Sequence, residues 1–145
     1  MANRLTTVET AIFNYIDSLL TSSTGSIGEL PRAATSTTPR LWSFGFTGGS
    51  EALAVGVTEN IYAWDLNAAF RGIYTEREQA LEDLWTVMDD LPWGTADIAS
   101  VMRVDPVAPP TILREVVELE NDLTVGGDMR VWAVELIVNV TFERA

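Results

Sequence analysis

From residue 130 to residue 144, apolar and polar positions alternate almost without a break. Trp132, Val134, Leu136, Val138, Val140 and Phe142 fall on one side of an extended chain. Val131, Ala133, Glu135, Ile137, Asn139 and Thr141 fall on the other. A helix would scatter the first six around its circumference. A strand this apolar on one side needs cover. The pattern therefore predicts a strand near the middle of a sheet, with helices packed over its even-numbered face.

Two other segments have helical spacing. Val8, Ala11, Ile12, Tyr15, Ile16, Leu19 and Leu20 predict a helix over residues 7–20, with Thr6 and Glu9 as a capping box. Ala80, Leu81, Leu84, Trp85, Val87, Met88 and Leu91 predict a second over residues 76–90, opened by a Thr75/Glu78 box and stopped by Pro92. Between them, residues 28–40 have no period and read as a surface loop. Residues 41–46 read as a strand, residues 47–50 (Thr-Gly-Gly-Ser) as a turn, and residues 53–57 as a short strand or part of a long β-arm. A long strand over 61–74 follows, with Asn67 or Gly72 as places where it bulges or breaks. Residues 95–102 read as a helical turn and 104–111, with three prolines, as an extended connection. Residues 112–124 form the penultimate strand, with Leu113, Val117, Leu119 and Leu123 on its apolar side. These elements predict one α+β domain over residues 1–145. Its mostly antiparallel sheet of four to five strands carries two main helices on one face.

Composition narrows the chemistry. With 145 residues, 47% of them hydrophobic, a sizeable core is within reach. No apolar run approaches the ~20 residues of a membrane helix, and the N-terminus lacks a signal peptide's apolar core, so a soluble chain is expected with no membrane partner. Cysteine, histidine and lysine are all absent. That removes disulfides, thiol and histidine-activated nucleophiles, the usual structural zinc sites and Schiff-base chemistry. The net charge of −12 disfavours nonspecific binding to nucleic acid, which needs clustered cations.

No catalytic constellation emerges, and no cofactor or metal is expected. Asp89/Asp90 and Glu118/Glu120 are carboxylate pairs that read as solvated faces before they read as acid/base machinery. Ser50 has no histidine to activate it, and residues 45–49 suit a turn better than a phosphate loop. Four of the five tryptophans fall on apolar faces. Trp93 follows Pro92 in a loop and is the candidate partner contact, with packing at the helix end as the alternative.

The order of elements is a capped helix, long strands, and an amphipathic helix ending in Asp-Asp-Leu-Pro-Trp. A Pro-rich connection follows, then a closing hairpin ending in Trp-Ala-Val-Glu-Leu-Ile-Val-Asn-Val-Thr-Phe-Glu-Arg. This order resembles the tail terminator (tail completion) proteins of long-tailed bacteriophages and related gene-transfer particles. Residues 75–92 and 132–142 carry the likeness most. The resemblance implies a hexameric ring on the end of the tail tube that stops tube polymerisation. It implies the tube protein and a head-side connector protein as partners, DNA passing through the lumen, and no active site. Such a protein belongs to the tail or neck of the virion and is assembled in the host cytoplasm. A head-closure or head–tail joining protein, a small acidic module mimicking nucleic acid, and a carboxylate-only metal enzyme are the alternatives.

A two-residue turn at Gly126-Gly127 would pair Leu119 with Val134, Val117 with Leu136 and Leu113 with Val140. It would also set Glu118 opposite Glu135, with Glu120 and Asp122 further along the same side. Like charges directly opposite are destabilising in a sheet. Under the tail-terminator resemblance, Glu118, Glu120, Asp122 and Glu135 are therefore the candidate acidic lining of the lumen, over which DNA would slide; a solvated outer face is the other reading.

Overall fold

A computed structural model describes residues 4–28, 39–55, 60–91, 93, 102–118 and 128–143. In chain order the elements are α1 (Arg4–Leu19), β1 (Thr24–Ile27), β2 (Arg40–Val55), β3 (Asn60–Tyr74), α2 (Arg77–Asp89), β4 (Met102–Pro106), β5 (Thr111–Glu118) and β6 (Asp128–Glu143). One sheet holds all six strands, in the order β1-β2-β3-β6, with β4 and β5 both pairing with the far side of β6. β5 runs along residues 128–135 of β6 and β4 along residues 138–142. Every pairing is antiparallel except β1 with β2. The fold is α+β, and β6 is interior as its alternation demands.

The even-numbered face of β6 is the floor of the core. Val134, Leu136, Val138, Val140 and Phe142 are buried, and β3 and β2 extend the same surface with Ala68, Phe70, Trp42 and Phe44. Val8, Ile12 and Ile16 of α1, Leu20 just after it, and Ala80, Leu84 and Val87 of α2 join that same cluster. Both helices thus cover one face. On the other face the described residues form a smaller apolar cluster, Leu41 and Val131 with Ile73 packed against them.

Neither capping box forms. α1 already includes Arg4, so Thr6 and Glu9 are inside the helix. The Glu9 carboxylate instead accepts a hydrogen bond from the Phe46 N–H at 3.0 Å, where the β2–β3 register slips between Phe46 and Gly48. A carboxylate reaching from the helix thus satisfies a backbone donor at an irregularity in the ladder. The N-cap of α2 is Glu76, which makes no side-chain cap bond.

The expected turn at 47–50 does not occur: β2 passes through it as one strand of 16 residues, about 50 Å of extended chain. β3 likewise runs unbroken through Asn67 and Gly72, and the irregularity lies in β2 opposite them. Gly72 keeps its strand geometry because the Tyr74 ring lies over it, where a Cβ would overlap the ring. The extended connection at 104–111 contains β4, since Met102–Pro106 finds a partner in β6. The loop at 29–38 and most of the helical turn at 95–102 lie outside the described residues.

β1 raises the strand count above the four or five expected. Its four residues, Thr-Gly-Ser-Ile, carry almost no strand signal. They pair with β2 because Gly25, opposite Trp42, leaves the indole room. Gly25→Ala would drive a methyl group into the Trp42 ring. The expected cost is about 1–3 kcal/mol of unfolding free energy, the usual range for overpacking, measured by urea denaturation.

The hairpin register is also different. Glu118 pairs with Asp128, Leu113 with Ala133 and Thr111 with Glu135. This is not the ladder that a two-residue turn at Gly126-Gly127 would close; residues 119–127 themselves lie outside the described residues. The offset from the expected register is odd, so it exchanges the faces of β5. Leu113 is exposed on the side away from the helices, where the sequence had placed it in the core.

Candidate functional site

Two places concentrate polar chemistry among the described residues: a buried ion pair under α2, and the sheet face away from the helices.

The helical stripe of α2 that meets the sheet is Ala80, Asp83, Leu84 and Val87. Asp83 is therefore buried. Its carboxylate accepts hydrogen bonds from Arg40 at the start of β2 and from the Ser23 hydroxyl before β1. Glu82, on the exposed side, adds a longer ion pair to Arg40 at 3.6 Å. Burial pulls the Arg40 pKa down, but the hydrogen bond and charge of Asp83 outweigh it and the net shift is upward. The Tyr74 hydroxyl is buried beside this pair, close to Asp83 and without a hydrogen bond of ordinary geometry among the described residues. Burial, then the negative charge of Asp83, push its pKa above the ordinary tyrosine value. This cluster joins α2, β2, β3 and the α1–β1 connection.

A pH dependence follows. Tyr74 stays protonated in the folded chain while the unfolded chain ionises near pH 10, so the folded state holds the extra proton. The associated stability is fully present below pH 10 and is lost as pH rises above it, by about 1.4 kcal/mol per pH unit. Tyr74→Phe is expected to flatten the alkaline limb of the stability curve by that one-proton slope, read from urea denaturation at stepped pH.

On the face away from the helices, β3, β6 and β4 present a polar ladder. Asn139 donates to Asp65 at 2.6 Å and to Asn67 at 3.4 Å, and the Thr141 hydroxyl donates to Asn139 at 3.2 Å. Arg71 pairs with Glu135 at 2.8 Å, and Arg103 with Asp105 at 2.8 Å. Both arginines of this ladder are thus held by carboxylates. No three carboxylates among the described residues converge as a metal site would require. No helix among them is long and apolar enough to cross a membrane.

The structure separates the proposed acidic cluster. Glu135 lies on the face away from the helices, but its cross-strand neighbours are Arg71 and Thr111, not Glu118. The like-charge contact expected between Glu118 and Glu135 does not exist. Glu120 and Asp122 lie outside the described residues.

The tryptophans exchange roles. Trp93 is fully buried, so it is not a surface contact. Its φ of 59° and its N–H bond to the Asp90 carbonyl, 2.7 Å, turn the chain back at the end of α2. The indole then meets Phe44 edge-on at 5.6 Å. Trp85, expected in the core, is 68% exposed on α2. Its neighbours in the sequence allowed either stripe, and the Arg40–Asp83 pair is what distinguishes them.

The chain matches no protein-family model and no curated protein sequence.

Proposed function

We propose that this chain is a structural virion protein, a tail terminator that forms a hexameric ring on the end of a phage tail tube. It stops tube growth and presents a surface to the head-side connector, while DNA passes through the bore without specific binding. It acts in the tail or neck of the particle, without catalysis or cofactor.

The observation that carries this reading is the two-sided sheet. Three strands of 15 or 16 residues form a wall with both helices on one face and, on the other, a ladder of polar and charged side chains beside a small apolar cluster. The polar groups of that face are bonded to one another. The two arginines seen there are engaged by Glu135 and Asp105, so they do not form the free cationic cluster that would grip DNA. The described residues set Asp65, Glu135 and Asp105 against Arg71 and Arg103 there, with no surplus of cations to hold DNA, which suits a passive wall. Of the four acidic candidates for the bore, Glu135 reaches it only as half of an ion pair.

The test is assembly of a cognate tail-tube protein with and without the chain. Tubes of limited length with a ring at one end, seen by negative-stain electron microscopy, are the expected result. Tubes that grow unchecked with no density at their ends sink the proposal.

A further inference from the structure

Four of the five large apolar residues exposed on the described surface lie toward the two opposite edges of the sheet. Ile27 of β1 is 45% exposed; Ile112 and Leu113 of β5 are 37% and 52% exposed; Val107, just after β4, is 55% exposed. Among the described residues β1 pairs only with β2, and β5 only with β6. Each strand therefore has an outer row of backbone donors and acceptors beside which the described residues place no strand. Edges are usually blunted by lysine, proline or inward charge, and Thr24–Ile27 contains none of these.

The geometry of the two edges is complementary. β1 runs parallel to β2, and two antiparallel steps bring the sheet to β6, which therefore runs with β2. β5 is antiparallel to β6 and so runs opposite to β1. Two copies in the same orientation would thus meet with their edges antiparallel. The side chains agree as well. Ile27 is paired with Phe44 and Ile112 with Val134, so both isoleucines lie on the helix-covered side.

We propose that β1 of one copy adds to β5 of the next, extending one antiparallel sheet across copies, with Ile27 packed against Ile112 at each junction. The two edges are different surfaces, so the contact is heterologous and propagates head to tail, the kind that closes into a ring. This deepens the ring reading above and rests on it. Each copy carries a net charge of −12, so association strengthens as salt screens the repulsion.

The test uses Ile27→Glu and Ile112→Glu in the full chain, with folding checked by circular dichroism. Ile27→Thr and Ile112→Thr, which keep β-branching, serve as milder versions. Oligomer mass is measured by sedimentation at concentrations up to about 1 mM. Wild type is expected to form oligomers, and each variant alone to be monomeric, with at least about a tenfold weaker association. Mixed one to one, the two glutamate variants are expected to form a dimer and nothing larger, because only one junction joins two intact edges. Single variants that still assemble like wild type overturn the edge pairing and leave the ring reading standing. A variant that dimerises alone shows an isologous contact and overturns it too. A wild type that stays monomeric throughout also overturns it, while the tube-capping assay tests the ring reading separately.

Discussion

Replacing Asp83 with alanine is expected to lower the unfolding free energy by about 3–5 kcal/mol, the range for breaking a buried ion pair from one side. Arg40 would keep its charge in a site only 13% open to solvent, with its chief partner gone. Ser23 would lose its acceptor as well. The remaining contact to Glu82 is long, and that carboxylate is well solvated, so it recovers little. Urea denaturation at neutral pH reads the loss as a fall in midpoint at unchanged slope. The double replacement Arg40→Met with Asp83→Leu removes both charges together and is expected to regain most of the stability, because an apolar pair needs no desolvation of ions. A loss below about 1 kcal/mol for Asp83→Ala would mean that the pair behaves as a surface pair.

This ion pair also explains which parts of the fold were legible in the sequence. The alternation in β6 and the stripe in α1 have one reading each, since burying any other side would expose five or more large apolar residues. The stripe in α2 has two. Leu81, Leu84, Trp85 and Met88 make an apolar face as good as Ala80, Leu84 and Val87, and sequence alone favours the one with tryptophan. The helix takes the other rotation because Asp83 must meet Arg40, 43 positions earlier, and no local pattern announces that contact. Trp93 was misplaced for a related reason. A residue after a helix-stopping proline reads as loop, and only the turn at Asp90 carries it back against Phe44.

The register of β5 failed on turn chemistry. Gly-Gly is a strong local signal for a tight hairpin, and the resulting ladder placed three apolar pairs together. The observed ladder uses the exposed positions of β5 differently, leaving Ile112 and Leu113 at the sheet edge. The Glu118–Glu135 contact expected of an acidic lumen needs that register and is absent from the observed one. Charge composition is legible in a sequence; which charges face one another is set by register.

Trp42→Ala is the other large effect, about 3–5 kcal/mol, the range for emptying an aromatic site in a core. The indole is fully buried where four elements converge. Phe13 of α1 stacks on it at 5.0 Å, Phe70 of β3 tilts against it at 5.8 Å, and Gly25 of β1 lies over its ring. Its Nε1 has no hydrogen-bond partner, so the loss is one of packing and not of a polar contact. Trp42→Phe, which keeps a ring for Phe13 and Phe70, is therefore expected to cost substantially less. β1 is the element most dependent on this residue, since its four residues bury little else. Amide hydrogen exchange should show residues 24–27 losing protection first in Trp42→Ala, ahead of β3 and β6. Protection lost evenly across all strands would mean that β1 is held by its backbone ladder alone. Against a total stability of about 5–15 kcal/mol for a domain of ordinary size, the alanine variant would lose about a fifth of it or more.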